Sequence, residues 1–317
     1  MTRRASWLIL ALVVAAILGP WLAPYDPGRA YRGFLFAPPM PPRLVGPAGL
    51  QAPFVYPIRL VSRLDQRYEE DRSRTVPLPA LVSANTGGTP VFLLGADSFG
   101  RDVLSRLLAG ARVSIGVAIA ATVGALFLGA LIGVWAGYRG GWIDELLMRA
   151  ADFVLVLPVL YVVLVLRAVM PLVLPASTIF LLMAAIFALV GWPVVARGVR
   201  AIIRAERARE YIAAAQSLGA SPARIVFRHL LPSCGGHLVV QATLLLPAFI
   251  LAEATLSYVG LGFPDETASW GTMLIEASNV NALARFPWTL APAAAIFAVA
   301  LATNLLLERS AIKLSRS

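Results

Sequence analysis

Lysine is almost missing from this chain: Lys313 is the only one in 317 residues. Nothing resembling Gly-x-x-x-x-Gly-Lys-Ser/Thr surrounds it. That excludes a phosphate-cradling loop of the usual kind, so any work that costs energy needs nucleotide bound by another chain. Cysteine is as scarce. Cys234 stands alone, which rules out an intramolecular disulfide. The two histidines, His229 and His237, lie near Cys234, too few donors for a metal site. No paired carboxylates and no Ser/His/Asp set occur at usable spacing. No catalytic residue, resident metal or cofactor is therefore assigned, and the chain is not expected to be an enzyme.

Charge is also thin. Charged residues make up 14% of the chain against 59% hydrophobic, unlike an ordinary soluble domain. The apolar residues fall into blocks near the ~20 residues that cross a bilayer. Six are predicted: Trp7–Ala23, Val113–Ala136, Met148–Val169, Ser177–Val195, Leu238–Val259 and Trp288–Leu307. The expected fold is an all-α membrane protein of about six transmembrane helices. The net charge of +10 lacks the aromatic-interleaved platform of a single-strand binder, so nucleic acid is not an expected partner. The positive-inside rule accounts for the charge better. Arg3 and Arg4 put the N-terminus in the cytoplasm, and Arg309, Lys313 and Arg316 put the C-terminus there too. The same rule places inside the loop with Arg139 and Arg149, and the loop 197–237 with Arg197, Arg200, Arg204, Arg207, Arg209, Arg224 and Arg228. The first span reads as an uncleaved anchor rather than a signal peptide, because no small-x-small cleavage site follows it.

The expected organisation is an anchor helix at 1–23, a Pro-rich extracytoplasmic segment at 24–93, a core at 94–307 and a cytoplasmic tail at 308–317. The core carries five spans and the loop 197–237. Proline keeps residues 24–93 from being a span. Phe34, Phe36, Phe54, Tyr56 and Tyr68 argue for order there, irregular with some β-structure. Over 94–112, Val103, Leu104, Leu107 and Leu108 share a face and Asp102 stands four before Arg106. This predicts an amphipathic helix on the outer membrane surface with an Asp102–Arg106 pair. Gly129, Gly133 and Gly137 make a small-xxx-small ridge for close helix packing. Intramembrane charges cost at least ~2.5–3.5 kcal/mol and mark function or pairing. Asp152 and Arg167 fall near the ends of the third span; Glu253 is well inside the fifth. Glu253 is a candidate for substrate contact, for pairing with a partner subunit, or for capping a kink near Pro247.

The passage Arg209 to Pro232 reads as two short helical runs broken between Gly219 and Pro222. Ala213 to Gln216 offer small side chains with high helix propensity. Ser221 is placed to cap the second run, and Pro222 to open it. This has the character of a docking surface for another protein.

The same passage resembles the signature loop of ABC importer permeases, through Glu210, Tyr211, Ala214, Ala215, Gly219 and Leu231-Pro232. The resemblance continues in Asp97-Ser-Phe-Gly-Arg-Asp102, Gly137-Tyr-Arg-Gly-Gly-Trp-Ile-Asp144, Met148 to Asp152, Gly191 to Arg197, Glu253 to Gly262 and Ser269 to Met273. In this order the motifs look like the C-type permease of the dipeptide, oligopeptide and nickel importers. The likeness implies the type I ABC importer permease fold in a bacterial cytoplasmic membrane. It also implies a second permease, two ATPases that hold ATP and Mg, and an extracytoplasmic solute-binding protein. Glu210, Tyr211, Ala213, Ala214, Ala215, Gly219, Ala220, Ser221, Pro222, Arg224, Leu231 and Pro232 are the implied ATPase-docking residues. The implied substrate is a peptide, with nickel or another small solute as the alternative; a scaffold that transports nothing is the rival from another class. The chain departs from the family at Ala213, where the signature has glutamate, at Ser233, where asparagine is usual, and in lacking a terminal Gly-Asp.

Overall fold

The structure, a computed structural model, describes residues 22–46, 49–77, 90–158 and 174–314, with residues 19, 161, 162 and 165 besides. It divides into two compact units, one of residues 10–115 with 257–298, the other of 1–9, 116–256 and 299–317.

The first unit begins with the Pro-rich segment, which folds as two small antiparallel sheets. Strands β1 (Arg43–Gly46), β2 (Gly49–Val55) and β5 (Val76–Pro77) form one, in the order β1-β2-β5. Strands β3 (Ile58–Ser62) and β4 (Arg67–Glu70) form a hairpin. Of the aromatics expected to order this segment, Phe34 and Tyr68 stack on each other against its apolar cluster, Phe36 stacks on Phe286, and Phe54 meets Tyr56 edge-on. Tyr25, Tyr31, Phe34 and Phe92 pack edge-on or tilted around Ala37, Met40, Val55, Ile58 and Val91. The Tyr25 hydroxyl accepts the Val91 N–H at 2.8 Å, and burial pushes its pKa up to about 12. In the same unit α8 (Trp270–Ala277) opens on a capping box between Ser269 and Thr272. The Trp270 N–H donates to Ser114 at 3.0 Å and its indole to the Leu107 carbonyl at 3.0 Å.

Helix α1 (Val103–Arg139) corrects the expected surface helix. It is one helix of 37 residues that runs unbroken from the predicted amphipathic stretch through the predicted span. No breaker separates Arg112 from Val113, so helix propensity carries through. Nor is Asp102 paired with Arg106 through their side chains. The Asp102 carboxylate takes the Ser105 N–H at 2.8 Å and hydroxyl at 2.6 Å, the geometry of an N-terminal cap. Arg106 is buried with its Nε 3.7 Å from Asp97.

In the second unit α1 lies against α3 (Ala176–Arg207), and the glycine ridge is where they meet. A Cβ built on Gly124 would stand 2.8 Å from Ala188, one on Gly133 2.6 Å from the Ala196 carbonyl, and one on Gly137 2.9 Å from Ile203. Gly133→Leu is expected to lower stability in detergent by about 1–3 kcal/mol or more through overpacking. An unchanged unfolding midpoint would show that the helices part freely at this point.

Helix α2 (Gly141–Val156) corrects the third span. It starts before the predicted Met148 and stops at Leu157, whose ψ of 120° is extended. The cause is Pro158, which disfavours the helical region for the residue before it. Arg167 lies outside the described residues, as does nearly all of the first span. Helix α3 runs past the predicted end at Val195 to Arg207, because Ala196 to Arg207 hold no proline and are rich in alanine and arginine, which favour the helix. Next come α4 (Glu210–Ser217), α5 (Pro222–Ile225), a π-helical turn (Val226–Leu230), α6 (Leu231–Ser233) and α7 (Gly235–Tyr258). The chain closes with α9 (Val280–Arg285), a 3-10 turn (Pro287–Leu290) and α10 (Ala291–Leu314). Among the described residues four helices are long and apolar enough to cross a membrane: Val103–Arg139, Ala176–Arg207, Gly235–Tyr258 and Pro287–Leu305.

Candidate functional site

The segment after α3 is built by local chemistry the sequence announces. Helix α4 ends where Leu218 N–H returns to the Ala214 carbonyl at 3.0 Å and Ala220 N–H to Ala215 at 3.0 Å. Gly219 makes this possible with φ +80°, a left-handed conformation that side chains resist. Ser221 then caps α5, its hydroxyl accepting the Arg224 N–H at 3.3 Å, and Pro222 takes the first helical turn. The predicted break and restart are both present.

The segment has two faces. Inward, Ile212, Ile225, Leu230 and Cys234 are buried with Val195, Val199 and Ile203 of α3. Val195 and Ile203 also meet the glycine ridge of α1. A push on α4 or α5 is thus transmitted to α3 and on to α1 through close-packed side chains, which yield little. Outward, Leu218 is 89% exposed and Phe227 70%. With them Glu210, Tyr211, Ala213, Ala214, Gly219, Ser221, Pro222, Arg224 and Pro232 are exposed, while Ala215, Ala220 and Leu231 are half-buried. Ala213, at the position where the signature carries glutamate, leaves an open surface; its carbonyl accepts the Ser217 hydroxyl at 3.0 Å.

Four arginines assigned to the loop from sequence, Arg197, Arg200, Arg204 and Arg207, belong to α3 instead. There they brace neighbouring elements. Asp144 of α2 accepts from Arg200 (Nη2 at 2.7 Å) and pairs with Arg204 at 3.3 Å. Asp152 of α2 pairs with Arg197, and Arg207 donates to the Tyr138 carbonyl and stands 5.1 Å over its ring. Glu206 takes the Tyr211 hydroxyl at 2.8 Å and Arg209 at 3.1 Å. The aspartate partners were not foreseen; only the recurrence of arginine along α3 hinted at them.

The Arg200 hydrogen bond is the main cause that holds the Asp144 carboxyl below the usual carboxylate range. A lowered folded-state pKa gives stability that is full above the unfolded value and lost as pH falls through the native one. Asp144→Asn is expected to cost about 1.5–3 kcal/mol at neutral pH, the scale of hydrogen bonds to a charged group. Thermal unfolding of both proteins checks this: the gap should close once the pH drops below the carboxylate range, and a constant gap would assign it to packing.

Glu253 is fully buried in α7 with buried Ile250, Ala254 and Leu256 nearby in the chain, and is not among the exposed residues of the 210–232 segment. Cys234 belongs to the apolar cluster with its thiol 3.6 Å from the Leu230 carbonyl. His237 packs against Gly198, and the His229 ring lies 6.1 Å from that of Tyr211.

Long apolar helices joined by a packed polar segment with an exposed outer face define a polytopic membrane protein. Comparison with known proteins gives the particular family. The chain belongs to the binding-protein-dependent transport system inner membrane components, which residues 129–316 match. Residues 5–39 match the N-terminal transmembrane domain of oligopeptide transport permease C. It is 39% identical over 210 residues to the oligopeptide transport system permease protein OppC of Bacillus subtilis, covering 66% of each chain. It is 32% identical over 299 residues to the di/tripeptide transport system permease protein DppC of Pseudomonas aeruginosa, covering 94% of this chain and 82% of that one. Among solved structures, an inward-facing MetNI methionine ABC transporter aligns over 62% of this chain and 94% of its own at 20% identity, with a TM-score of 0.42. The chain is therefore an inner-membrane permease component.

Proposed function

We propose that this chain is one of two permease subunits of an ATP-driven importer of peptides. The observation that carries the reading is the segment Glu210–Pro232, apolar and packed on α3 inside, small and exposed outside. Glu210, Tyr211, Ala213, Ala214, Ala215, Gly219, Ala220, Ser221, Pro222, Arg224, Leu231 and Pro232 form the surface that enters an ATPase subunit. Leu218 and Phe227, missed from sequence, add its exposed apolar contacts. Two ATPases bind ATP and Mg, and this chain binds neither. Their closure moves the segment, and the interlocked α3 and α1 carry the movement toward the pore.

The peptide substrate is supported by relatives whose names are those of oligopeptide and di/tripeptide permeases, which favours it over nickel. The rest of the assembly is a second permease and an extracytoplasmic solute-binding protein. Both termini are cytoplasmic, and residues 24–93 lie outside. Glu253 is fully buried in α7 within this chain, which favours a role inside it, such as at the kink near Pro247, over direct contact with substrate or the second permease.

Co-expression with candidate partners and purification through a tag on this chain tests the reading. Recovery of a P-loop ATPase and a second permease, with ATP-dependent peptide uptake in proteoliposomes, is the expected result. A chain that purifies alone and leaves ATPases unbound would turn the reading toward a scaffold.

A further inference from the structure

A cleft of about 250 Å³ opens beside the β3–β4 hairpin, lined by Arg32, Leu35, Leu60, Arg63, Gln66 and Tyr68, with the backbone of Gly33. Three observations make it more than a surface dent.

The first is charge without a partner. Arg32 and Arg63 both line the cleft, and neither is ion-paired among the described residues. The nearby acids are committed elsewhere. Glu70 takes Arg43 and Arg72, Glu69 lies 3.7 Å from Arg67, Asp65 takes the Ser62 hydroxyl and Asp71 takes Ser73. Two guanidinium forks facing one cavity are the usual complement of a carboxylate or other oxyanion.

The second is Gln66. Its side-chain Oε1 is buried with no hydrogen-bond partner, a costly state for an amide. Its backbone is left-handed, φ 52°, where a non-glycine residue is unusual. Strain of this kind is found where a surrounding function holds the residue in place. The pairing register also slips between Leu60 and Ser62, a bulge of the sort that re-aims side chains at a strand end.

The third is the floor. Leu35, Leu60 and the ring of Tyr68 are apolar, and Tyr68 is fixed by its hydroxyl bond to the Leu35 carbonyl at 2.7 Å and by stacking on Phe34. The cleft thus offers two cations and an apolar surface together.

We propose that this cleft binds a peptide through a carboxylate, held by Arg32 and Arg63, with an apolar side chain on Leu35, Leu60 and Tyr68. The carboxylate follows from the cleft itself; its belonging to a peptide outside the membrane rests on the importer reading. Two sources carry this chemistry: the C-terminus of a free peptide, or an acidic side chain of an extracytoplasmic partner.

The test is calorimetric titration of the full chain in nanodiscs at low salt with Ala-Ala-Leu, its C-terminal amide, and acetyl-Ala-Asp-Leu-amide. Binding of the free acid, lost about tenfold or more on amidation, marks the chain end; comparable binding of the internal aspartate peptide marks an acidic side chain. Either supports the proposal, provided that Arg32→Gln with Arg63→Gln removes the carboxylate dependence. Both arginines are exposed, so this variant is expected to fold. Carboxylate-dependent binding that survives in the double variant would place the site elsewhere, and equal titration of acid and amide, or none at millimolar peptide, would overturn the proposal. Peptide uptake by the assembled transporter is measured separately, so a failure of the importer reading shows as lost uptake with the cleft's binding intact.

Discussion

Replacing Arg101 with glutamine is expected to cost about 3–5 kcal/mol of stability, the scale for removing one partner from a buried ion pair. Arg101 is 7% exposed and holds a group of carboxylates together. Its Nε lies 2.5 Å from Asp97 and its Nη1 3.1 Å from Asp265, while Nη2 is 3.8 Å from Glu276. Burial opposes charge on this guanidinium, yet Asp97 and Asp265 carry its pKa upward. Without the Arg101 guanidinium Asp97 keeps the cation of Arg106, at 3.7 Å, and the backbone N–H of Phe99, at 2.9 Å, while Glu276 keeps the Ser98 hydroxyl at 2.6 Å. Burial, then the charge of Asp97, already raises the Glu276 pKa, and burial lifts Asp102 to about 6. Glu276, left without Arg101, is therefore a group ready to take a proton. This gives a pH signature: the variant's deficit should be largest at neutral pH and shrink as acid neutralises Glu276. Chemical unfolding in detergent at several pH values checks it, with Arg43→Gln as the contrast. That arginine pairs with Glu70 at the surface, where such a pair is worth about 0–1 kcal/mol. A deficit for Arg101→Gln no larger than for Arg43→Gln would mean that water or relaxation replaces the lost cation.

What was legible in the sequence follows the range over which each signal acts. Gly219, Ser221 and Pro222 state their roles within a few residues, and the break, cap and restart appear as expected. The glycine ridge at Gly129, Gly133 and Gly137 announced a close helix contact, though not that α3 would fill it. Hydropathy marks where a helix meets lipid, not where it ends. That is why α3 outran its predicted limit by three turns and took four arginines out of the loop. The stop at Leu157 was written in Pro158, but an apolar run on both sides hid it. Asp144 with Arg200, or Arg101 with Asp265, join residues far apart in the chain, and no local pattern in a single sequence encodes such pairs. Arg32 and Arg63 are unremarkable in sequence for the same reason, being neighbours only once the hairpin is formed.

Gly219→Val is expected to lower ATP-driven uptake by about tenfold while the transporter still assembles and hydrolyses ATP. The cause is conformational alone. Gly219 sits at φ +80°, and a Cβ built there meets nothing within 4 Å. No clash confuses the result. A left-handed backbone costs an L-residue about 1–2 kcal/mol, and β-branching makes it worse. That is enough to shift the balance between the docked shape and a relaxed one about tenfold. The relaxed shape would let α4 and α5 turn apart, freeing Ile212 or Ile225 from Val199 and Ile203 and breaking the path to α3. Asparagine tolerates the left-handed region better, so Gly219→Asn should keep most of the uptake. The series of glycine, asparagine and valine thus ranks backbone freedom at one exposed point, with ATP hydrolysed per peptide imported as the readout. A ratio equal in all three would sink the docking role of this segment, since its geometry would then have no bearing on how hydrolysis is used.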